Sequence, residues 1–221
     1  MFLDGYLGQL LSGTVLTIEV AVCAILLGSV LGLIGASGEL SHSPILRVVS
    51  RAITSIIRGL PELLTLFAIY FGGTILLTKL FGKFTEVNAF TSGVVALGLI
   101  FGAYASQVFR GAFLIIHKGQ KEAAKALGLS SWLTFKKIML PQAWRHALPG
   151  LGNLWLTTLK DSSLVALIGL ADLTNKTQLA ATQTYKPFTF YMTCALIYLG
   201  LTSITQIIFI LLKQRSLKHE H

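Results

Sequence analysis

Residues Val20–Gly38 read VAVCAILLGSVLGLIGASG and contain no Asp, Glu, Lys or Arg. A helix of about 20 such residues spans the hydrocarbon core of a bilayer, so this stretch alone moves the chain out of the soluble class. The runs Val87–Phe109 and Pro187–Leu212 are equally free of those four residue types. Two shorter runs, Leu63–Thr78 and His146–Leu159, become spans once a few charged residues are admitted at their ends. The chain is 53% hydrophobic and 12% charged, with a mean hydropathy of +0.72, values a soluble domain of this length does not show. The expectation is an all-α integral membrane protein, a single domain over 1–221 with five transmembrane helices near 10–36, 54–79, 91–115, 148–171 and 188–212.

Five spans put the termini on opposite sides. One side then collects Arg47, Arg51, Lys118, Lys121, Lys125, Lys136, Lys137, Arg145, Lys213, Arg215 and Lys218, and the other only Lys79, Lys83, Lys176 and Lys186. The positive-inside rule makes the first set cytoplasmic, with the N-terminus outside and the C-terminus inside. That topology accounts for the net charge of +9, and no soluble basic domain is present to bind nucleic acid. The first apolar stretch has Asp4 ahead of it instead of a basic segment, and reads as a retained anchor, not a cleaved signal. Cys23 and Cys194 lie in apolar spans and read as small buried hydrophobes.

Between the third and fourth spans, residues 117–146 form a basic, helix-forming island. Gly119 to Leu127 are good helix formers, Gly128 suits a C-cap, Ser130 or Ser131 suits the cap of a second helix, and Pro141 is expected to close it. The first helix sets Lys121, Glu122 and Lys125 beside Ala123, Ala124 and Leu127. Such a face fits a groove on a soluble partner. It also fits an amphipathic helix lying on an anionic leaflet, and periodicity does not separate the two.

The string Glu122-Ala123-Ala124, three residues, Gly128, nine residues, Ile138, one residue, Leu140-Pro141 resembles the coupling loop of permease subunits of bacterial ATP-binding-cassette importers. The segments Arg58–Glu62, Gly102–Ala112, Trp144–Asn153, Leu159–Leu164 and Pro187–Tyr191 are similar to the polar amino-acid permeases of the histidine, glutamine and arginine class, nearest the Q-type subunits of arginine importers. The resemblance implies a type I importer permease fold in the bacterial inner membrane, N-terminus periplasmic, with Glu122, Ala123, Ala124, Gly128, Leu140 and Pro141 as ATPase-coupling positions. It implies three protein partners: a cytoplasmic ATPase dimer that binds ATP and Mg, a second related permease completing a heterodimer, and a periplasmic solute-binding protein. The chain has no Gly-rich phosphate loop of its own, and its five His, with His219 and His221 in the tail, form no catalytic or metal constellation. ATP hydrolysis therefore falls to another subunit, and no cofactor is expected in this one.

Charges inside a bilayer cost about 2.5–3.5 kcal/mol each on insertion scales, so those retained need a partner or a use. Glu19, Glu62, Lys160 and Asp161 are the candidates. At about 1.5 Å rise per residue, Glu19 and Asp161 lie roughly 14 and 15 Å from the outer ends of their spans and share a depth. With Lys160 neutralising one carboxylate, about one negative charge remains near the midplane, which suits a cationic ligand. Together with the resemblance this points to a basic amino acid, arginine first, with histidine, lysine, ornithine or glutamine as alternatives. Asp161 and Glu19 are the leading contacts. Ser162 offers a hydroxyl for the ligand carboxylate, although Ser in a membrane helix more often bonds backbone or a neighbouring helix. Gln107, where many relatives have Glu, completes the set.

Arg58 and Glu62 stand four apart, the spacing of a helical ion pair, with Pro61 between them, so a kinked structural pair or a gate hinge is expected there. Gly28/Gly32 and Gly98/Gly102 are small-residue pairs suited to helix packing. A self-contained carrier or channel would need inverted repeats or broken paired helices, and the five spans, unlike in sequence, offer no clear repeat. A membrane-anchored interaction protein without transport is the remaining alternative.

Overall fold

Two long apolar helices, α1 (Leu7–Glu39) and α4 (Ala89–Ile115), form the spine of the molecule. Their small residues set how closely they run. In the computed structural model a Cβ on Gly28 would fall 2.7 Å from the Gly98 carbonyl oxygen, and one on Gly32 2.8 Å from the Ala105 Cβ. The two glycine pairs thus meet across one seam, where backbone replaces side chain in the contact. Val20, Ala24, Ala96, Leu97 and Ile100 are buried along it, and further on Ala36 packs with Phe101, Ala105, Phe109 and Ala112. Residues 5–217 are described; Asp4, Lys218, His219 and His221, used above, lie outside them.

The expected second span, 54–79, is two helices. Helix α2 (Pro44–Gly59) ends before an extended Leu60 (φ −93°, ψ 142°) and Pro61 (φ −57°, ψ 137°), and α3 (Glu62–Phe81) begins afresh. Proline forces the preceding residue out of helical backbone and supplies no N–H, so it breaks this helix instead of kinking it. The span is α3, while α2 is amphipathic, and Thr54 is the only one of its residues that is buried.

The third polar segment holds α5 (Lys118–Ala126), α6 (Ser131–Thr134) and a π-helical turn, Phe135–Met139, that runs straight into α7 (Leu140–Asp161). Gly128 takes φ +73°, with its N–H donated to the Lys125 carbonyl and that of Leu129 to Ala124, each at 3.0 Å, the two bonds of a glycine helix stop. Ser130 caps α6, accepting the Leu133 N–H at 3.3 Å. Pro141 does not close the second helix as expected. It sits in the first turn of α7, where its missing N–H leaves a carbonyl of the preceding turn without its usual donor, and the Leu140 N–H reaches back to Phe135 instead.

The expected fourth span, 148–171, begins earlier and does not continue as one helix. After Asp161 the chain tightens into a 3-10 segment, Ser162–Ile168, turns at Gly169 with φ +84°, and restarts as α8 (Leu173–Thr184), bent by 54° from the preceding unit. Asp172 caps α8, its Oδ1 accepting the Asn175 N–H at 2.9 Å. Helix α8 packs on α1 and on α9 (Pro187–Leu217) through Leu10, Leu173, Ala180, Phe190 and Cys194. Among the described residues four helices, α1, α3, α4 and α9, are long and apolar enough to cross a membrane, and the bent unit, counted as one span, makes five.

Candidate functional site

Both irregular points of the chain open onto one space. Glu62, the first residue of α3 after the Pro61 break, and Asp161, the last residue of α7 before the 3-10 turn, line a single cavity of about 280 Å3 with Phe101 and Tyr104 of α4 and Thr157 and Thr158 of α7. Both carboxylates are half-buried. The cavity therefore offers two anionic groups, two aromatic walls and two hydroxyls, a set that fits an organic cation with a polar second end. Starting a helix at Glu62 also places its charge where the α3 dipole favours it.

This arrangement revises several expectations. The Arg58–Glu62 pair does not form, because the two stand on different helices across the break; the Arg58 Nε donates to the Thr54 carbonyl at 3.3 Å within α2. Glu62 belongs to the cavity. Ser162 is fully buried and donates its hydroxyl to the Leu159 carbonyl at 2.7 Å, so it closes the turn out of α7. Glu19 is exposed on the outer surface of α1 and is not among the residues lining the cavity with Asp161. Lys160 is likewise exposed, on a different side of α7 from Asp161.

Gln107 has another partner. Its Nε2 donates at 2.7 Å to Glu39 Oε1, which also accepts the Thr54 hydroxyl at 3.0 Å and the Ser106 hydroxyl at 3.2 Å. Glu39 Oε2 lies 3.6 Å from Arg110 Nε. Glu39 is 3% exposed, a buried carboxylate that ties the end of α1 to α2 and α4. In the sequence it stands just beyond an apolar run, where an acid reads as a solvated helix end. Arg110 of α4 turns to this carboxylate.

Of the expected coupling positions, Glu122, Ala123, Ala124 and Gly128 lie on α5 and its stop, whereas Leu140 and Pro141 open α7. On α5 only Ala124 is buried, at 1% exposure, whereas Leu127 just after it is 79% exposed. Glu122 and Ala123 are exposed as well, as are Gly128, Leu140 and Pro141. An outward leucine beside small residues and lysines leaves α5 an exposed, partly apolar face.

Apolar spans around an acidic cavity, with a short basic helix beside them, are the architecture of a solute permease. The chain belongs to the family of binding-protein-dependent transport system inner membrane components, whose family model matches residues 24–218. It is 47% identical over 210 residues to the arginine ABC transporter permease protein ArtQ of Haemophilus influenzae, covering 94% of this chain and 92% of that one. It is 41% identical to the octopine transport system permease protein OccQ of Rhizobium meliloti, covering 97% and 93%, and 38% identical to the histidine/lysine/arginine/ornithine permease HisQ of Salmonella typhimurium, covering 96% and 95%. A solved chain of an amino acid ABC transporter with histidines superposes with a TM-score of 0.84 at 32% identity, covering 95% of both chains. The inward-facing MetNI methionine transporter, at 18% identity and a TM-score of 0.76 over 95% of this chain and 97% of that one, shares the fold. The protein is thus a multi-pass inner-membrane permease subunit of an amino-acid ABC importer, in which ATP hydrolysis lies in a separate subunit and a periplasmic binding protein is a partner.

Proposed function

We propose that this permease carries a cationic amino acid, arginine first, and that Asp161 and Glu62 are the carboxylates that receive it. The observation that carries this reading is their convergence on one cavity with Tyr104, Thr157 and Thr158. Two acids without a basic residue lining the same space favour a guanidinium or ammonium side chain and disfavour an anionic ligand. The relatives' named substrates, arginine, octopine and histidine/lysine/arginine/ornithine, support the same class.

Helix α5 is the ATPase-docking helix in this reading, with the 118–139 arm cytoplasmic and the N-terminus periplasmic. The distribution of lysine and arginine supports that orientation. The second permease is a related subunit, as the likeness to Q-type subunits suggests. Glu19, Asn153, Lys160 and Gln206 are exposed inside spans, and polar side chains at such depth call for a protein surface or an aqueous path against them. Closure of the ATPases on α5 would then move α7, which continues from the arm through the π turn, and with it Asp161 at the far end.

The test uses the complex reconstituted in vesicles with its ATPase and binding protein. Asp161→Asn and Glu62→Gln should each lower arginine uptake at least ten-fold while the complex still assembles. Unchanged uptake kinetics in both variants would remove these carboxylates from the site.

A further inference from the structure

Leu33 of α1, Phe109 and Ala112 of α4, and Ala143, Trp144 and Ala147 of α7 line a slot of about 160 Å3 with almost no polar surface. It lies in the last turns of α1 and α4 and the first turns of α7, at the end of the bundle that bears the 118–139 arm. Alanine at three of these positions makes the slot. Its mouth is outward, since Trp144 is 53% exposed and Leu33 46%. An apolar cavity of this size stays dry and takes an apolar group.

The surroundings identify the occupant. Lys136 and Lys137, both exposed, stand on the π turn that leads directly into Leu140, a residue lining the slot. No acidic residue occurs between Glu122 and Asp161, whereas Lys125, Lys136, Lys137, Arg145 and Lys160 do. Trp132 stacks on Phe135, and Phe135 on Phe113 of α4, with ring centroids 6.0 and 5.9 Å apart, an aromatic ladder of the kind found at membrane–water interfaces. On a helix of 3.6 residues per turn, Trp144 lies roughly opposite Asn153 and Lys160. The slot therefore faces away from the polar side of α7 that carries Asn153 and Lys160.

We propose that this slot binds an anionic phospholipid of the adjoining leaflet, one acyl chain between α1, α4 and α7 and its phosphate held by Lys136 and Lys137. The site is independent of which amino acid is carried. Because both lysines sit on the turn joining the arm to α7, a bound lipid braces the joint through which the arm and the span are connected.

The test takes the full chain carrying Trp132→Phe and Trp155→Phe, reconstituted in vesicles, so that Trp144 is the remaining indole. Brominated phosphatidylglycerol should quench Trp144 at lower mole fraction than brominated phosphatidylcholine, by roughly five-fold for each lysine engaged. Lys136→Gln with Lys137→Gln should abolish that preference and leave quenching by phosphatidylcholine as it was. Ala147→Leu, which fills the slot, should reduce quenching by both lipids. Equal quenching in the parent chain, or a preference that survives loss of both lysines, overturns the proposal. Unaltered quenching in Ala147→Leu places the acyl chain elsewhere and overturns it too. The lysine pair is at the surface, so its result stands even if the slot-filling variant fails to insert.

Discussion

A single carboxylate, Glu39, holds three helices by accepting hydrogen bonds from Thr54, Ser106 and Gln107 and facing Arg110. Removing one partner of a buried ion pair costs about 3–5 kcal/mol, because the other charge is left desolvated. Glu39→Ala should accordingly lower the unfolding temperature of the detergent-purified protein markedly, and Glu39→Gln less, since the amide oxygen still accepts. Equal melting curves for the two variants would show that the neutral hydrogen bonds contribute little. Gly128 makes a second residue-level case. Its φ of +73° is a conformation that costs an L side chain about 1–2 kcal/mol. Gly128→Val should loosen the stop of α5 and uncouple ATPase activity from uptake without loss of membrane insertion; normal coupled uptake would remove α5 from the coupling role.

At the level of elements, the breaks are where sequence reading and structure part. Apolar length alone marked α1, α4 and α9, because a span must satisfy its backbone within itself and so declares itself as an uninterrupted run. Pro61 was visible, but its consequence was not. Whether proline kinks or ends a helix depends on what the freed segments pack against, and here Thr54 of α2 is drawn to Glu39 while α3 packs Leu66 into the spine. Helix α8 was hidden for a related reason: its cap at Asp172 and its burial against α1 depend on Gly13, where a Cβ would fall 2.9 Å from the Asp172 carbonyl group. Gly13→Val should therefore detach α8 and expose the 173–184 segment to protease in purified protein, whereas Gly8→Val, with open space around it, should not. The same limit applies to the cavity. Asp161 was legible as a charge in a span, but its companion Glu62 was assigned to Arg58 by a helical spacing that the break abolishes. Gln107 and Ser162 were read as ligand contacts because sequence shows polarity and does not show which backbone or carboxylate already claims it.

For the whole molecule the fold fixes which residues share a side and leaves the sidedness to charge. With the arm in the cytoplasm, a cysteine at Lys118 should react with an impermeant maleimide only in inverted vesicles, and one at Lys83 only in intact spheroplasts. The opposite pattern would reverse the orientation while keeping the fold. The Glu39 cluster also has a consequence for the order in which this protein is made. Glu39 leaves the ribosome well before Ser106, Gln107 and Arg110, and at about 5–20 residues per second the gap lasts roughly 3–14 s. During that interval Glu39 has Thr54 within reach but neither its two α4 hydrogen-bond donors nor Arg110. The tie between the end of α1 and α4 can therefore close only once α4 has been made. A nascent chain stalled before Ser106 keeps that acid without its counter-charge, and so lacks a contact that the finished protein has.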